Sequence, residues 1–414
     1  MRVAIISKAD SSGGGASRVA ENLARSINLS DGHQAIHINS WRKEKFSFTK
    51  PLFEKFTNLY FKILDIEKRT GYVEYFPIEY LQLRKLLRRY KADVVHFHDI
   101  SSAYSPNTLN KISNLYPVVW TFHDVSPVTG GCLYPGSCSR FLHGCGDCPL
   151  LGYWPIDTTI DKTDLLAKTK IEMLEKSRIY TIAPSIWMKE LVSQRISKQP
   201  TVIFNGIDTD IYSAANKQKR KKILHDLKLD TNKVTFAITC SDFDDARKGV
   251  KDSLTILNDL YSVVGNSFQL VLLGNISQEI IDLLPDVPLH IAGYVFNEEQ
   301  KSRLLSACDI FLYTSLEDNQ PLSVLEALSS GCSIFGYKTG GIPELESYYD
   351  RAIKLHTKHE TQEVVDDLVK VINGIEELPN TEVVSSISSN LFSQSEHTNK
   401  HLNIYFETIN NYVK

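Results

Sequence analysis

Asp309-Ile310-Phe311-Leu312-Tyr313 is a short apolar run that leads, through the acidic turn Glu317-Asp318-Asn319-Gln320, to Pro321 and a second apolar stretch. Such a run, bounded by turn residues, predicts a buried strand. Pro321 suits a first helical position, where its missing N–H costs nothing. Leu322, Leu325 and Leu328 then mark a buried stripe, so Glu326 is expected one turn inside a buried helix. A second strand, Ser333-Ile334-Phe335-Gly336, and the loop Gly340-Gly341-Ile342-Pro343-Glu344 follow. Strand, helix and strand in this order build a parallel α/β sheet.

A helix N-terminus offers free N–H groups and a partial positive charge, a seat for a diphosphate. Here that seat is formed by Asn319, Gln320, Pro321 and Leu322, with Asp318 and Glu326 on either side. A carboxylate cannot attract a phosphate, but it accepts hydrogen bonds from sugar or ribose hydroxyls. Taken alone, two acids at this spacing are also compatible with a turn acid and a helix-surface acid.

The stretch from Ser315-Leu316-Glu317-Asp318 through Val324-Leu325-Glu326-Ala327-Leu328 to Gly340-Gly341-Ile342-Pro343-Glu344 resembles the retaining glycosyltransferases that carry a Glu-x7-Glu motif, the family-4 type of the bacterial surface polysaccharide branch. The first acid of the motif is Asp318 in this chain, one methylene shorter than the family's Glu. The resemblance implies a GT-B fold, two Rossmann-like domains facing across a cleft. It also implies a nucleoside diphosphate sugar donor, a glycan or lipid-linked acceptor and no catalytic metal. The implied organisation is an acceptor-side domain over 1–210, a nucleotide-sugar domain over 211–394 and a terminal helix over 395–414 that returns to the first domain.

Composition fits this frame. A chain of 414 residues is too long for one core, and 42% hydrophobic with 23% charged residues is ordinary for a globular protein. A net charge of −3 leaves no footprint for nucleic acid. No apolar run approaches the roughly eighteen residues of a spanning helix. Met1 to Ile6 breaks into Ser7-Lys8 too soon for a secretory signal, so the expected location is the cytoplasm, at the inner face of the cell membrane.

Val3 to Ile6 reads as a strand buried on both faces, leading into Ser11-Ser12-Gly13-Gly14-Gly15-Ala16 and a helix with Val19, Leu23 and Ile27 on one side. Gly13, Gly14 and Gly15 let backbone approach a ligand closely, although a Gly run is equally a flexible turn. From Trp41 to Lys91 cations and rings interleave, as in Lys55-Phe56 and Tyr60-Phe61-Lys62, and Arg84 to Lys91 is basic. Two readings stand: peripheral contact with an anionic bilayer, or an amphipathic helix packed on its own domain. His96 and His98 share one face of a further strand, at the end where α/β sheets place their clefts. His123 follows the strand Pro117 to Phe122; in the family resembled, the His at this place approaches the transferred sugar.

Cys132, Cys138, Cys145 and Cys148 lie within seventeen residues of the Gly-rich insertion 130–150. In a cytoplasmic chain such spacing argues for a metal clip, with tetrahedral zinc the simplest occupant. Two disulfides or four free thiols are the alternatives. Cys240, Cys308 and Cys332 read as core residues.

In the second half, Arg247-Lys248-Gly249 sits between a strand and a helix, where a cation can meet a diphosphate. The family carries an Arg and, five residues on, a Lys in this loop. Lys248 matches the second, whereas Phe243 occupies the first and Arg247 is the candidate replacement. Gly293-Tyr294-Val295 resembles the segment whose backbone reads the base. Asp208-Thr209-Asp210 spells a D-x-D, but at the domain junction Asn205-Gly206-Ile207-Asp208. The expected site is therefore His123, Lys248, Asp318 and Glu326, with sugar transfer as the expected reaction. An epimerase or hydrolase of the same fold, or a non-catalytic nucleotide-sugar-binding module, is the rival.

Overall fold

The computed structural model describes residues 1–413. By contacts the chain divides into two compact units, one of Met1–Gly206 together with the chain from Gln394 onward, the other of Ile207–Ser393. Both are built on all-parallel sheets.

The first unit has seven strands: β1 (Arg2–Ala9), β2 (Gln34–Trp41), β3 (Thr49–Pro51), β4 (Val94–Phe97), β5 (Val118–Thr121), β6 (Tyr180–Ala183) and β7 (Thr201–Val202). They lie in the order β3-β2-β1-β4-β5-β6-β7. Its helices are α1 (Gly15–Leu29), α2 (Thr57–Arg69), α3 (Tyr80–Tyr90), α4 (Pro106–Ser113), α5 (Thr163–Lys176) and α6 (Ile186–Ser193). Successive residues of β1 point to opposite faces. Val3 and Ile5 pack against Ala20, Leu23, Ala24 and Ile27 of α1. Ala4 and Ile6 join the other layer, with Leu83, Leu87, Leu109, Ile112, Met173 and Leu174 from α3, α4 and α5. Burial on both faces explains why β1 reads as an unbroken apolar run, each such side chain contributing about 1.5–3 kcal/mol.

The second unit has six strands: β8 (Val234–Asp242), β9 (Phe268–Asn275), β10 (Leu289–Gly293), β11 (Ile310–Tyr313), β12 (Ser333–Tyr337) and β13 (Ile353–His356). Their order is β10-β9-β8-β11-β12-β13. The helices are α7 (Arg220–Asp226), α8 (Val250–Val264), α9 (Gln278–Ile281), α10 (Glu298–Ser306), α11 (Leu322–Ser329), α12 (Thr361–Ile372) and α13 (Thr381–Phe392). Ile256, Leu257 and Leu260 of α8 and Val364, Val365 and Leu368 of α12 cover one face of the sheet. Cys240, Cys308 and Cys332 are buried here.

The last helix, α14 (Gln394–Val413), belongs to the first unit and packs on α1. Leu402 and Tyr405 are buried against the β1–β4–β5 face and Ile409 packs beside them. Phe406, next to Tyr405 in the chain, is 47% exposed and meets His33 edge-on. One residue around a helix is about 100° away from the buried stripe.

Candidate functional site

Each sheet reverses its strand order once, between β1 and β4 in the first unit and between β8 and β11 in the second. Ligands of open α/β sheets bind outside the carboxyl ends of strands at such a point. In the second unit the loop after β8 carries Arg247 and Lys248, and the loop after β11 carries Asp318, Asn319, Gln320 and Pro321.

Three strand-end loops interlock there through backbone. The Leu316 N–H donates to the Arg247 carbonyl at 2.8 Å, and the Gly341 N–H donates to the Asn319 carbonyl at 2.7 Å. The Thr339 hydroxyl donates to the Ser315 carbonyl at 2.6 Å. Gly249 and Gly340 have φ of 63° and 57°, the left-handed region that favours glycine. A Cβ on Gly249 would lie 2.0 Å from the Thr314 carbonyl oxygen, and one on Gly340 would lie 1.9 Å from that of Asp318. Both glycines are therefore required by backbone-to-backbone contact.

Within this frame Lys248 Nζ donates to Asp318 Oδ2 at 2.7 Å. The Arg247 guanidinium donates to the Glu317 carbonyl at 3.0 Å and to Asp245 at 3.1 Å, and lies 3.9 Å from Asp318. Phe243 is buried in the core, so the second cation of this loop is Arg247. Thr239, Cys240, Lys248, Thr314, Asp318 and Ser323 line a cavity of about 20 Å³. Larger surface grooves, of about 590 and 770 Å³, lie elsewhere in the second and first units and contain none of the predicted site residues.

Helix α11 begins at Leu322, with Pro321 as the flanking residue at φ −67° and ψ 127° rather than the first helical one. An extended ψ at Pro321 keeps it in the turn, so the first helical N–H belongs to Leu322. Glu326 is 1% exposed, as expected, and is ion-paired with Lys301 of α10. A buried carboxylate needs such a partner to remain charged. Lys301 was not foreseen, because the contact joins two helices separated by β11. Tyr294 and Val295 follow β10 at the sheet's edge, with the exposed rings of Tyr294 and Phe296 4.4 Å apart. Asp208 accepts the N–H groups of Asp210 and Ile211, a turn-capping role for this D-x-D.

In the first unit Gly13 closes a short 3-10 turn and Gly14 precedes α1, which starts at Gly15. Asp10 and Glu21, missed in the sequence, hold this loop: Asp10 accepts from the Ser12, Lys43 and Glu44 N–H groups, and Glu21 accepts from that of Ser11. Lys8 pairs with Asp99 at 3.0 Å across β1 and β4. His123 Nε2 and His98 Nδ1 are 3.0 Å apart, a hydrogen bond that needs one N–H and one lone pair. His96 bonds the Tyr405 hydroxyl at 2.7 Å and that of Thr121 at 2.8 Å. His401 and His397 of α14 extend the stack. Cys132, Cys138, Cys145 and Cys148 are not joined in disulfides and lie half-buried in the segment before α5.

Two sequence patterns match this chain in succession: Glycosyltransferase Family 4 over residues 13–211 and Glycosyl transferases group 1 over residues 235–373. A relative in Escherichia coli (strain K12), WcaC, named as a glycosyl transferase of colanic acid biosynthesis, is 26% identical over 266 residues. That match spans 58% of this chain and 58% of the relative's own length. The crystal structure of HepE from Anabaena in complex with UDP superposes with a TM-score of 0.63 at 15% identity, covering 98% of this chain and 100% of that one. Sucrose-phosphate synthase from Thermosynechococcus elongatus gives 0.67 at 13% identity, covering 98% of each chain. These structures share the fold: two Rossmann-like, all-parallel units of the GT-B class. The chain belongs to the family-4 glycosyltransferases.

Burial pushes the His37, His123 and His401 rings down, to about 4, about 3 and about 4, and holds His96, His98 and His397 well below 6.5. Folded rings take up protons only near these values, whereas unfolded ones do so near 6.5. Their contribution to stability is therefore complete above 6.5 and is lost as the pH falls from 6.5 toward 4. Glu67 and Glu79, each raised to about 7 by burial, act with the opposite sign between 4.5 and 7. Ring resonances, unlike a melting point, isolate the histidine term. In NMR the His37, His123 and His401 rings are expected not to shift between about pH 7.5 and 5.5, while the urea-unfolded chain titrates near 6.5. An inflection of the folded His123 ring near 6.5 would show it solvated.

Proposed function

We propose that this protein moves a sugar from a nucleoside diphosphate donor to a hydroxyl of a cell-surface glycan or lipid-linked acceptor, with retention of configuration. The observation that carries this reading is the Lys248–Asp318 pair, flanked by Arg247, at the strand reversal between β8 and β11. WcaC's link to colanic acid and HepE's complex with UDP support the substrate classes.

Lys248 and Arg247 offset the charge that grows on the departing diphosphate. An ammonium has three donors, so Lys248 can keep Asp318 and still reach a phosphate oxygen. Glu326, held by Lys301, accepts the ribose hydroxyls. Asp318 and the backbone of Gln320, Pro321 and Leu322 hold the donor sugar, and Tyr294 and Val295 meet the base; in the first unit the neutral His123 ring offers a hydrogen bond to a sugar hydroxyl. Gly13, Gly14 and Gly15 offer backbone N–H groups to the donor. The anomeric carbon–phosphate oxygen bond breaks, the acceptor oxygen bonds the same face, and the acceptor proton passes to the leaving diphosphate. No step uses a metal.

The test is an assay of purified protein against a panel of nucleotide sugars with a lipid-linked acceptor, the product's anomer read by NMR. Retained configuration and a Lys248→Ala loss of about 10²–10³-fold in kcat, with unchanged melting, are the expected outcome. An inverted product would contradict retention. Turnover without acceptor would favour the epimerase or hydrolase, and binding without turnover the non-catalytic module.

The acceptor is met at the cytoplasmic face of the membrane in this proposal. On α2, Tyr60 and Leu64 turn inward, whereas Leu59 and Ile66, with Phe56 just before the helix, are 55%, 61% and 64% exposed. Spacings of three and seven residues put these on one outer face, beside the exposed Lys62 and the Arg69–Asp65 ion pair. Leu81, Lys85, Arg88 and Arg89 of α3 are also exposed. Rings and aliphatic groups enter the headgroup zone while the cations meet lipid phosphates. No helix among the described residues is long and apolar enough to cross a membrane. In co-sedimentation the protein is expected to bind vesicles containing phosphatidylglycerol and not those of phosphatidylcholine alone. The triple variant Phe56→Ser, Leu59→Ser, Ile66→Ser should lose most of that binding; equal binding to both vesicle types would reject the contact.

A further inference from the structure

We propose that Cys132, Cys138, Cys145 and Cys148 bind one structural zinc ion that clips the connection from β5 to α5.

All four cysteines line a single cavity of about 20 Å³, the room of roughly one water-sized sphere. The rest of its wall is largely apolar, with Pro135, Phe141, Pro149, Leu150 and Ile156. Four thiols around one atom-sized space inside an apolar shell supply the four sulfur donors that zinc takes tetrahedrally, ahead of the other common divalent ions. Among the described residues no three His, Cys, Asp or Glu side chains already stand at a metal's ligand spacing. The ion would therefore draw the sulfurs inward over the void they surround, a movement that rotation about half-buried Cys side chains can supply.

Two further contacts suit sulfur ligands on a bound cation. The Gly130 N–H donates to Cys145 Sγ at 3.3 Å, a bond that a thiolate accepts more strongly than a thiol. The Lys170 ammonium of α5, almost fully buried, interacts with Cys132 and Cys145 as well as with Glu74 and Asp124. Four thiolates on a divalent ion leave a net charge of about −2. A buried cation beside two of the sulfurs offsets part of it. The segment between β5 and α5 has a need for such a clip: it contains two 3-10 turns, Ser126–Val128 and Arg140–Leu142, and no helix or strand. The same segment carries His123 and Asp124, so the clip fixes the loop that carries a proposed sugar contact.

The experiment is metal analysis of the full-length protein, purified with reductant and then desalted, together with a thiol count in denaturant plus chelator. About one zinc per chain, released in step with modification of the thiols, and all seven cysteines titratable, is the expected result. The double variant Cys145→Ser, Cys148→Ser should hold under about a tenth of an equivalent. If that variant does not fold, cobalt exchange into the native protein, read by sulfur-to-cobalt charge-transfer absorption, gives the same answer. Seven free thiols without metal, or four thiols that react only after reduction, would overturn the proposal. So would iron in place of zinc.

Discussion

The contact between Lys248 and Asp318 is the one on which the account of this protein turns. Its cation belongs to the loop after β8 and its carboxylate to the loop after β11, adjacent strands at the point where the second sheet reverses order. Such a partly buried pair adds little net stability, because desolvation offsets most of the attraction. What it provides is placement: a cation held by a carboxylate at a strand end, on a base of glycines that permit the loops to touch through backbone. Substituting either glycine would move the loop and the charge with it.

The first unit repeats this plan. Lys8 at the end of β1 pairs with Asp99 after β4, again across the strand reversal. The two units differ in what surrounds the pair. In the second, Arg247 adds charge and Glu326 waits in a buried helix with Lys301. In the first, the neighbouring groups are stacked, neutral imidazoles and the Gly loop held by Asp10 and Glu21. Cations held in place by carboxylates suit a diphosphate; uncharged rings with hydrogen-bonding nitrogens suit hydroxyl-bearing sugars.

Local pattern carried much of this into the sequence. β1 and β11 were readable because strands buried on both faces must be apolar throughout, and the burial of Glu326 followed from the leucines around it. Contacts between distant segments were not readable. Lys301 looks like any lysine of an exposed helix until α10 packs on α11, and His401 becomes part of the His96 stack only when α14 returns to the first sheet. Sequence pattern puts Pro321 one residue too far into its helix, since its fixed φ suits both positions and only ψ separates them. Phe406 shows the same limit: its neighbours' spacing predicts a buried stripe, but the stripe's width is set by what packs against it. The basic and aromatic region divided on folding, Tyr60 inward and Phe56 outward, a choice that composition does not encode.

The most direct test of the central claim is amide hydrogen exchange of the second unit with and without a nucleoside diphosphate sugar. Ligand protection is expected to concentrate at Ala246 to Val250 and at Asn319 to Ser323, the two loops that carry the cation and the helix start. Protection confined to the groove lined by Lys219, Lys222 and Arg303, with those two loops unchanged, would contradict it.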